Sequence, residues 1–409
     1  MHIECFKCGT VTDAKGVGFE VVNFGCPNCN NLLSYNDKPQ GTLVKKLERN
    51  SYNLPFKVGD KCRLEGKEYT VTGILVKKIK PIYYWREYIL TAGDNEKRYL
   101  SETDGHWILL RDIPDKYDLK RYPRRLEYND MWYSLYDYAN PTIIMAEGFF
   151  DFKVPLTQQK MIEYINPPFI LSVEVSKDGE ASFFGEHISK GAVKKAFGLK
   201  DMPVKSGVGI VQPFAIDIRS MAMIFCFFAI VILTSHFFIY SGRQVVQVLN
   251  DNLSFDTYNG KDYVSKPFTL KGGSAPLNIS LNANVDNSWA SVQVALVNEK
   301  THDEEYATQD IEYYHGYEGN ESWSEGSTDQ NFNLCGVSAG TYHLIVTPQK
   351  PPEDLTSTSL TISAEWNRPS VWNMVIPIVV MLLVVVGFYF ISLNFEYRRW
   401  EDSSYSPYK

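Results

Sequence analysis

Four cysteines near the start of the chain stand in two pairs, Cys5 with Cys8 and Cys26 with Cys29. Each pair encloses two residues, a spacing that brings two thiolates to one metal ion, and the intervening segment folds back to close the site. The pattern predicts a zinc ribbon over residues 1–37 with one structural Zn²⁺. Because all four ligands come from the protein, this ion has no open position for catalysis. Two disulfides are the alternative, and they require an oxidising compartment.

Gly9 follows the first pair and is expected at the positive φ that a tight metal knuckle needs. Only four residues precede Cys5, too few for a secretory signal. The thiolates and the missing signal together predict that the N-terminal region lies in a reducing cytosol.

Two apolar segments are long enough to cross a membrane. Residues 221–240 contain no Asp, Glu, Lys or Arg, and residues 371–393 are more apolar still. Between them, residues 241–370 carry 7 Lys+Arg and 17 Asp+Glu, a net charge of −10 in a chain whose total is −7. Arg243 and Arg368 oppose a positive-inside assignment, so the cysteines decide the orientation: both termini inside, residues 244–368 outside.

Residues 53–203 show short alternating strands separated by turn signals such as Asp104-Gly105 and Asp178-Gly179. The pattern recurs, which predicts two tandem SH3-like barrels, residues 53–114 and 120–203, the second ending in a short helix from Ser189. One larger barrel with similar hairpins is the alternative.

A basic stretch separates the two predicted barrels, and a second run contains Lys77, Lys78 and Lys80. The stretch is interpreted either as a docking patch for an acidic partner or anionic lipid, or as a solvated linker. Its basic residues are Lys116, Lys120, Arg121, Arg124 and Arg125.

The region between the apolar segments has the clearest β alternation, with Leu277, Ile279, Leu281, Ala283 and Val285 on one face. Many such strands predict a β-sandwich of roughly 100 residues. Its single cysteine, Cys335, excludes an internal disulfide.

Aromatic and acidic residues are concentrated within residues 312–330, which gives this segment the composition of a sugar, peptide or cation surface. An ordinary decorated hairpin is the alternative. The predicted outer ligand surface comprises Tyr313, Tyr314, Tyr317, Trp323 and Glu325.

Several function classes find no support in the sequence. No P-loop, HExxH, GxSxG or dinucleotide fingerprint is present, which favours a non-enzymatic protein. The pI of about 5.6 disfavours nucleic-acid binding.

A set of motifs in this order, GDKCRLEGKEYTVTGI, YYWREYIL, ETDGHWIL, EGFFDF, LSVEV and AFGL, resembles the bacterial domain-of-unknown-function 4178 family. The outer NSW, YYHGYEG, SWSEGS and GTYHL resemble the extracytoplasmic half of its full-length members. The resemblance implies a bacterial inner membrane and a neighbourhood of PspA-like membrane-stress proteins and polyamine-synthase-like enzymes. It supplies no catalytic residue.

Taken together, the sequence predicts a mainly β multidomain membrane protein that acts as a scaffold or sensor. Its cytosolic modules would recruit a protein partner and its outer domain would bind an envelope ligand or protein. The alternative is an accessory subunit of a polyamine-type enzyme or transporter. Membrane lipid is an expected partner, and Gly387 in the second span is expected at a helix contact in an oligomer or complex. The predicted boundaries are 1–37 for the zinc ribbon, 53–114 and 120–203 for the two barrels, and 244–368 for the outer β-sandwich. The two spans are predicted at 221–240 and 371–393, and a cytosolic tail at 394–409.

Overall fold

A computed structural model describes residues 2–14, 16–35, 41–48, 52–79, 83–117, 119, 122–157, 159–177, 179–319 and 321–408. The chain divides into two compact units. The first comprises Met1–Ile218 and Val386–Lys409, and the second comprises Arg219–Val385. Strands dominate both units, as the sequence predicted.

The first unit contains sixteen strands and one short helix within its described residues. The strands are β1 (His2–Glu4), β2 (Val11–Asp13), β3 (Asn23–Gly25), β4 (Asn31–Ser34), β5 (Thr42–Lys46), β6 (Lys61–Leu64), β7 (Lys67–Ile79), β8 (Tyr83–Ala92), β9 (Lys97–Thr103), β10 (His106–Ile113), β11 (Arg125–Tyr128), β12 (Met131–Ala139), β13 (Thr142–Phe150), β14 (Lys160–Asn166), β15 (Phe169–Ser176) and β16 (Gly179–Ile188). The helix is α1 (Lys190–Phe197).

One hydrogen-bonded sheet runs through most of the first unit. Its order is β11-β12-β14-β15-β16-β10-β9-β8-β7-β13-β3-β4-β5, with β6 beside β7, while β1 and β2 form a hairpin of their own. The sheet crosses the predicted boundary between residues 114 and 120 twice, because β7 pairs with β13 and β10 pairs with β16. The strands of the two predicted barrels are therefore hydrogen-bonded to each other, and two tandem SH3-like folds remain a prediction.

The cysteine-bearing segment is joined to this sheet. β3 pairs with β13, and the rings of Phe24 and Phe149 stack with centroids 5.2 Å apart. Residues 1–37 thus share their core with a strand that lies more than a hundred residues further along the chain.

Three glycines lie in register across this junction, where Gly148 on β13 faces Gly25 on β3 and Gly73 on β7. A Cβ on Gly25 would lie 2.1 Å from the Ala146 carbonyl oxygen, and one on Gly148, whose φ is +98°, would lie 2.4 Å from the Thr72 oxygen. Only glycine permits so close an approach of the three backbones.

The helix α1 confirms the prediction of a short helix from Ser189. The Ser189 hydroxyl accepts a hydrogen bond from the Ala192 amide at 3.1 Å, and Gly198 ends the helix at φ +65°. These are the N-cap and left-handed C-cap that favour a helix of this length.

The second unit begins in α2 (Ile218–Ser241) and contains two sheets and a short helix, α3 (Phe255–Tyr258). The sheet orders are β17-β26-β20-β24 and β18-β25-β21-β22-β23, with β19 beside β25. The strands are β17 (Val246–Ser254), β18 (Tyr263–Val264), β19 (Phe268–Leu270), β20 (Ala275–Ala283), β21 (Ser288–Asn298), β22 (Glu304–Glu318), β23 (Glu321–Ser327), β24 (Asp329–Val337), β25 (Gly340–Gln349) and β26 (Ser359–Trp366).

Buried residues from both sheets of the second unit form one core. The alternating positions Leu277, Ile279, Leu281 and Ala283 of β20 are all buried, as predicted, and β26 repeats this with Leu360 and Ile362. Two sheets around one core form a sandwich.

Both predicted spans are helical, with bounds that differ from the prediction. α2 (Ile218–Ser241) contains all of residues 221–240, and α4 (Trp372–Arg399) extends six residues beyond 393 into the predicted tail. The start of the segment predicted as a cytosolic tail, residues 394–399, is therefore the end of α4, and the cytosolic location of residues 394–409 stays a prediction.

The end of α4 is ordered because the following residues pack on the first unit. Arg399 is buried, and its guanidinium donates to the carbonyl oxygens of Gly209, Ile210 and Gln212 and pairs with Glu396. The Tyr136 hydroxyl donates to the Arg399 carbonyl at 2.9 Å, and the Tyr136 and Trp400 rings lie 5.2 Å apart. Arg399 is therefore an anchor between α4 and the segment that leads into α2.

Candidate metal centre and other candidate sites

The four cysteines of the predicted ribbon converge. The sulfur atoms of Cys5, Cys8, Cys26 and Cys29 all lie within 4.8 Å of one another. Cys5 Sγ is 3.6 Å from Cys29 Sγ, and Cys8 Sγ is 3.7 Å from Cys26 Sγ. Disulfide sulfurs lie about 2.05 Å apart, so these are free thiols, and the alternative of two disulfides is not what the structure contains.

Two similar turns present the sulfurs. In the turn between β1 and β2 the Gly9 amide donates to the Cys5 carbonyl at 2.8 Å, and Gly9 has the predicted positive φ of +66°. In the turn between β3 and β4 the Asn30 amide donates to the Cys26 carbonyl at 3.0 Å with a φ of +56°. Asn30 thus matches Gly9, and sequence reasoning missed it although asparagine tolerates the left-handed region.

The sulfur spacing fits a tetrahedral metal ion. Four thiolates at about 2.3 Å from a zinc ion lie roughly 3.8 Å from each other, close to the two shorter distances observed. Burial raises the pKa of Cys26 to about 12 and also raises that of Cys5, whereas the Thr10 hydroxyl lowers the pKa of Cys8 to about 6. Cysteine thiols lose their protons when they bind a metal. A divalent cation would supply the positive charge that stabilises the buried thiolates.

The predicted outer ligand surface lies on the hairpin of β22 and β23. Tyr314 faces Glu325 and Gly316 faces Trp323 across the two strands, so Tyr314, Trp323 and Glu325 share one side of the hairpin. Tyr313 and Tyr317 are at the alternate positions and lie on the other side. The sequence treated the five residues as one surface, whereas the strands divide them between two faces.

The predicted basic patch is described only in part. Lys116, Arg124 and Arg125 are exposed, and Lys120 and Arg121 lie outside the described residues. Docking through this patch stays a prediction.

A cavity of about 460 Å³ lies inside the first unit, and the sequence did not predict it. The strands around it are seven consecutive neighbours in the sheet, β7, β8, β9, β10, β16, β15 and β14. The wall is completed by β13 and by Asp151, Phe152, Lys153, Pro155 and Gln159. The sheet curls so far that Lys77 on β7 reaches Glu174 on β15, five strands away along the sheet, with Nζ and Oε1 2.6 Å apart.

Charged groups line this cavity among apolar ones. Lys77 is 3% exposed and pairs with both Glu174 and Glu87, the latter at 3.0 Å. Burial acts to lower the pKa of Lys77, but the two carboxylates outweigh it and raise that pKa. Lys97 pairs with Asp151 in the same wall. Lys77, which the sequence grouped with Lys78 and Lys80 in a basic run, therefore lies inside the first unit and is held by two carboxylates.

Other polar groups of the cavity have no such partner. Within the described residues, the Glu163 carboxylate makes no ion pair or hydrogen bond, and burial together with nearby carboxylates raises its pKa to about 8. Burial also raises the pKa of Asp112, which accepts a hydrogen bond from the Tyr99 hydroxyl at 3.1 Å. Gln159 and Ser172, 6% and 5% exposed, line the cavity with no side-chain hydrogen bond to the described chain.

A signal for this cavity was present in the sequence. Glu87 shares a strand face with Trp85 and Ile89, and Glu163 shares one with Met161. A carboxylate within a row of apolar alternate positions indicates a charge that faces an interior, because such residues are seldom buried without a role.

The fold and these sites define a class: a mainly β protein with two long apolar helices and a four-cysteine cluster. Residues 57–190, about a third of the chain, match the family described as domain of unknown function (DUF4178), and this match supports membership of that family. No curated protein matches the chain.

Solved structures resemble the chain only weakly. The N-terminal modules of Clostridium thermocellum endo-1,4-β-D-xylanase 10B are 11% identical over 31% of this chain and 29% of theirs, with a TM-score of 0.16. The Bacillus thuringiensis δ-endotoxin Cry8Ea1 is 9% identical over 74% of this chain and 43% of the endotoxin chain, with a TM-score of 0.17. A structure of infectious bursal disease virus, Gt strain, is 10% identical over 84% of this chain and 65% of the viral chain, also with a TM-score of 0.17. This chain therefore spans less than two thirds of each of these chains, and scores so low carry no argument about its fold or function.

Proposed function

We propose that the protein is a two-span membrane scaffold or sensor that holds its DUF4178-bearing first unit on one side of a bacterial inner membrane and its β-sandwich on the other. The observation that carries this proposal is the uncovered apolar surface of α2 and α4. Each helix is long and apolar enough to span, and its most apolar stretch is not buried by the described chain. A core helix of a soluble protein would be covered by its own fold.

The order of the units supports the topology. The first unit is formed by both ends of the chain, and the second is inserted between them through α2 and α4. If both helices cross, the N-terminal and C-terminal segments lie on the same side and residues 244–368 lie on the other. Free thiols in the first unit favour the cytosol for that side, since thiolate clusters persist in reducing compartments.

The cysteine cluster is proposed to hold one structural Zn²⁺ through Cys5, Cys8, Cys26 and Cys29. The ion would stabilise the two turns and, through the β3–β13 pairing, the adjoining edge of the large sheet. The cytosolic unit would then offer a rigid platform to a soluble protein partner, with SH3-like modules and the basic patch as the proposed docking elements.

The second unit is proposed to bind a ligand or protein of the envelope. Tyr314, Trp323 and Glu325 combine aromatic rings with a carboxylate on one side of the β22–β23 hairpin, and Trp323 is 46% exposed. Aromatic side chains with adjacent polar groups are typical of recognition surfaces.

Reporter fusions test the topology that this function requires. A fusion after Lys409 should be active as a cytosolic reporter, and an insertion at Gly319, in the exposed β22–β23 turn, should be active as an extracytoplasmic one. The opposite pair of results would contradict the proposal, and two cytosolic results would show that the helices do not span.

A further inference from the structure

We propose that the cavity of the first unit is a binding site for an organic cation that carries an ammonium or guanidinium group on an apolar chain. This inference concerns side chains inside the first unit and does not depend on membrane topology. Its evidence is the composition of the wall, the distribution of charge and the polar groups that remain without partners.

The size and walls of the cavity suit a small organic molecule. Its volume of about 460 Å³ lies within the range of roughly 300–1,000 Å³ that such sites have. Trp85, Leu75, Ile170 and Phe183 provide apolar and aromatic contact area. An inorganic ion would leave this apolar lining without a function.

The balance of charge selects a cation. The wall contains five carboxylates and three lysines, and the lysines do not neutralise all of them. Lys77 is held by Glu87 and Glu174, Lys97 is held by Asp151, and Lys153 is exposed. The carboxylates are Glu87, Asp112, Asp151, Glu163 and Glu174.

Glu163 is the group that would bind the cation. It stands directly opposite Ser172 on the neighbouring strand, and both line the cavity. Glu163 is half-buried, and ionising it without a partner is costly, which is why its pKa is raised to about 8. An ammonium group placed beside it would supply hydrogen-bond donors and the countercharge for the ionised carboxylate. Ser172 and Gln159 have oxygen atoms that could accept further N–H groups of the same ligand.

An anionic or neutral apolar ligand fits less well. Of the three lysines in the wall, Lys77 and Lys97 are already paired and Lys153 is exposed. An anion would also meet the carboxyl groups of Glu163 and Asp112. A neutral hydrocarbon would bury Glu163 further without giving it a partner.

Isothermal titration of the purified full chain in a non-ionic detergent tests the proposal, with hexylamine and N-hexylguanidine as probes. Hexanoate and hexan-1-ol, which match hexylamine in length, serve as controls for charge and for apolar partition. The expected result is saturable binding of at least one cation at one site per chain, with neither control binding at comparable concentrations.

Two variants connect such binding to the cavity. Glu163→Gln should weaken cation binding about 10-fold or more, because glutamine keeps the shape but cannot lose a proton to become the countercharge when a cation binds. Glu186→Gln is the matched control, since Glu186 is exposed and does not line the cavity, and it should bind as the unmodified chain does. Ser172→Val, which fills space opposite Glu163, should also reduce binding while circular dichroism shows that the sheet persists.

Three outcomes would overturn the proposal. They are the absence of saturable binding by either cation, equal or tighter binding of hexanoate or hexan-1-ol, and a Glu163→Gln variant that binds as tightly as Glu186→Gln. Each can occur whether or not the protein spans a membrane, so failure here is separate from failure of the proposed function.

Discussion

Lys77 and Glu174 form an ion pair at 2.6 Å although their strands, β7 and β15, are five positions apart in the sheet. Neighbouring strands alone would not bring these two side chains together. The pair therefore reports the curl of the sheet around the charged cavity, and a third group, Glu87, completes it from β8.

Replacing Lys77 should strongly destabilise the first unit. Lys77→Met leaves Glu87 and Glu174 buried without a countercharge, which we expect to cost about 3–5 kcal/mol. Lys61→Met is the matched control, because the Lys61–Glu68 pair is solvent-exposed and should contribute at most about 1 kcal/mol. Differential scanning fluorimetry of the full chain in detergent compares the two variants. Equal melting temperatures for both would show that the buried pair does not hold the sheet in this shape.

Glu163 should make stability depend on pH. Its pKa rises from the ordinary 4.5 to about 8 through burial and the carboxylates of Asp137, Glu87 and Glu174, against which Lys77 acts. The folded chain then holds the Glu163 proton more tightly than the unfolded chain does. The contribution of this group to the stability of the fold is therefore fully present below about pH 4.5 and is lost as the pH rises through about 8.

Glu163→Gln removes that dependence. Relative to the unmodified chain, the variant should melt at a higher temperature near about pH 9 and show a smaller difference near about pH 5. Glu186→Gln controls for the loss of a surface charge. A constant difference between the Glu163→Gln and unmodified chains across this range would contradict the assigned titration.

Arg399 should anchor the C-terminal segment. Arg399→Met removes donors from the carbonyl oxygens of Gly209, Ile210 and Gln212, and each buried unsatisfied group costs about 1–3 kcal/mol. Arg398 is the next residue back and is exposed, so Arg398→Met is a matched control. Limited proteolysis should cut residues 400–408 faster in the Arg399 variant only. Equal cleavage of both variants would contradict the claim that Arg399 anchors the C-terminal segment.

The metal site gives a further test. Purified protein should contain one zinc per chain, and Cys26→Ser should lose it, while Cys62→Ser, which changes a buried cysteine outside the cluster, should retain it. Because β3 pairs with β13, the Cys26 variant should also show faster amide exchange at Phe149. Unchanged zinc content in the Cys26 variant would contradict the assignment of the ligands.

The sequence predicted features that depend on local spacing. The two cysteine pairs, the cap at Ser189 and the alternation of Leu277 to Ala283 each follow from residues a few positions apart. The pairing of β3, β13 and β7 was not predictable in the same way, because Gly25, Gly73 and Gly148 are separated by about fifty to seventy-five residues. A glycine in the sequence indicates conformational freedom, but it does not indicate which strand will pair with its own.

The interior charges escaped prediction for a related reason. The sequence placed Lys77 in a basic run with its neighbours, and only the curl of the sheet brings it against Glu174 inside the first unit. The outer surface is divided for a similar reason, because alternation along β22 separates Tyr313 and Tyr317 from Tyr314 although they are close in sequence. Ligand binding by these residues stays a prediction.

The native thiol of Cys335 allows the most direct test of the two-span topology. Cys335 is exposed and is the single cysteine of residues 241–370. We expect a membrane-impermeant maleimide to label it in intact cells, and Cys335→Ser to abolish that labelling. Labelling of Cys335 only after the inner membrane is opened would contradict the central claim that the β-sandwich lies outside.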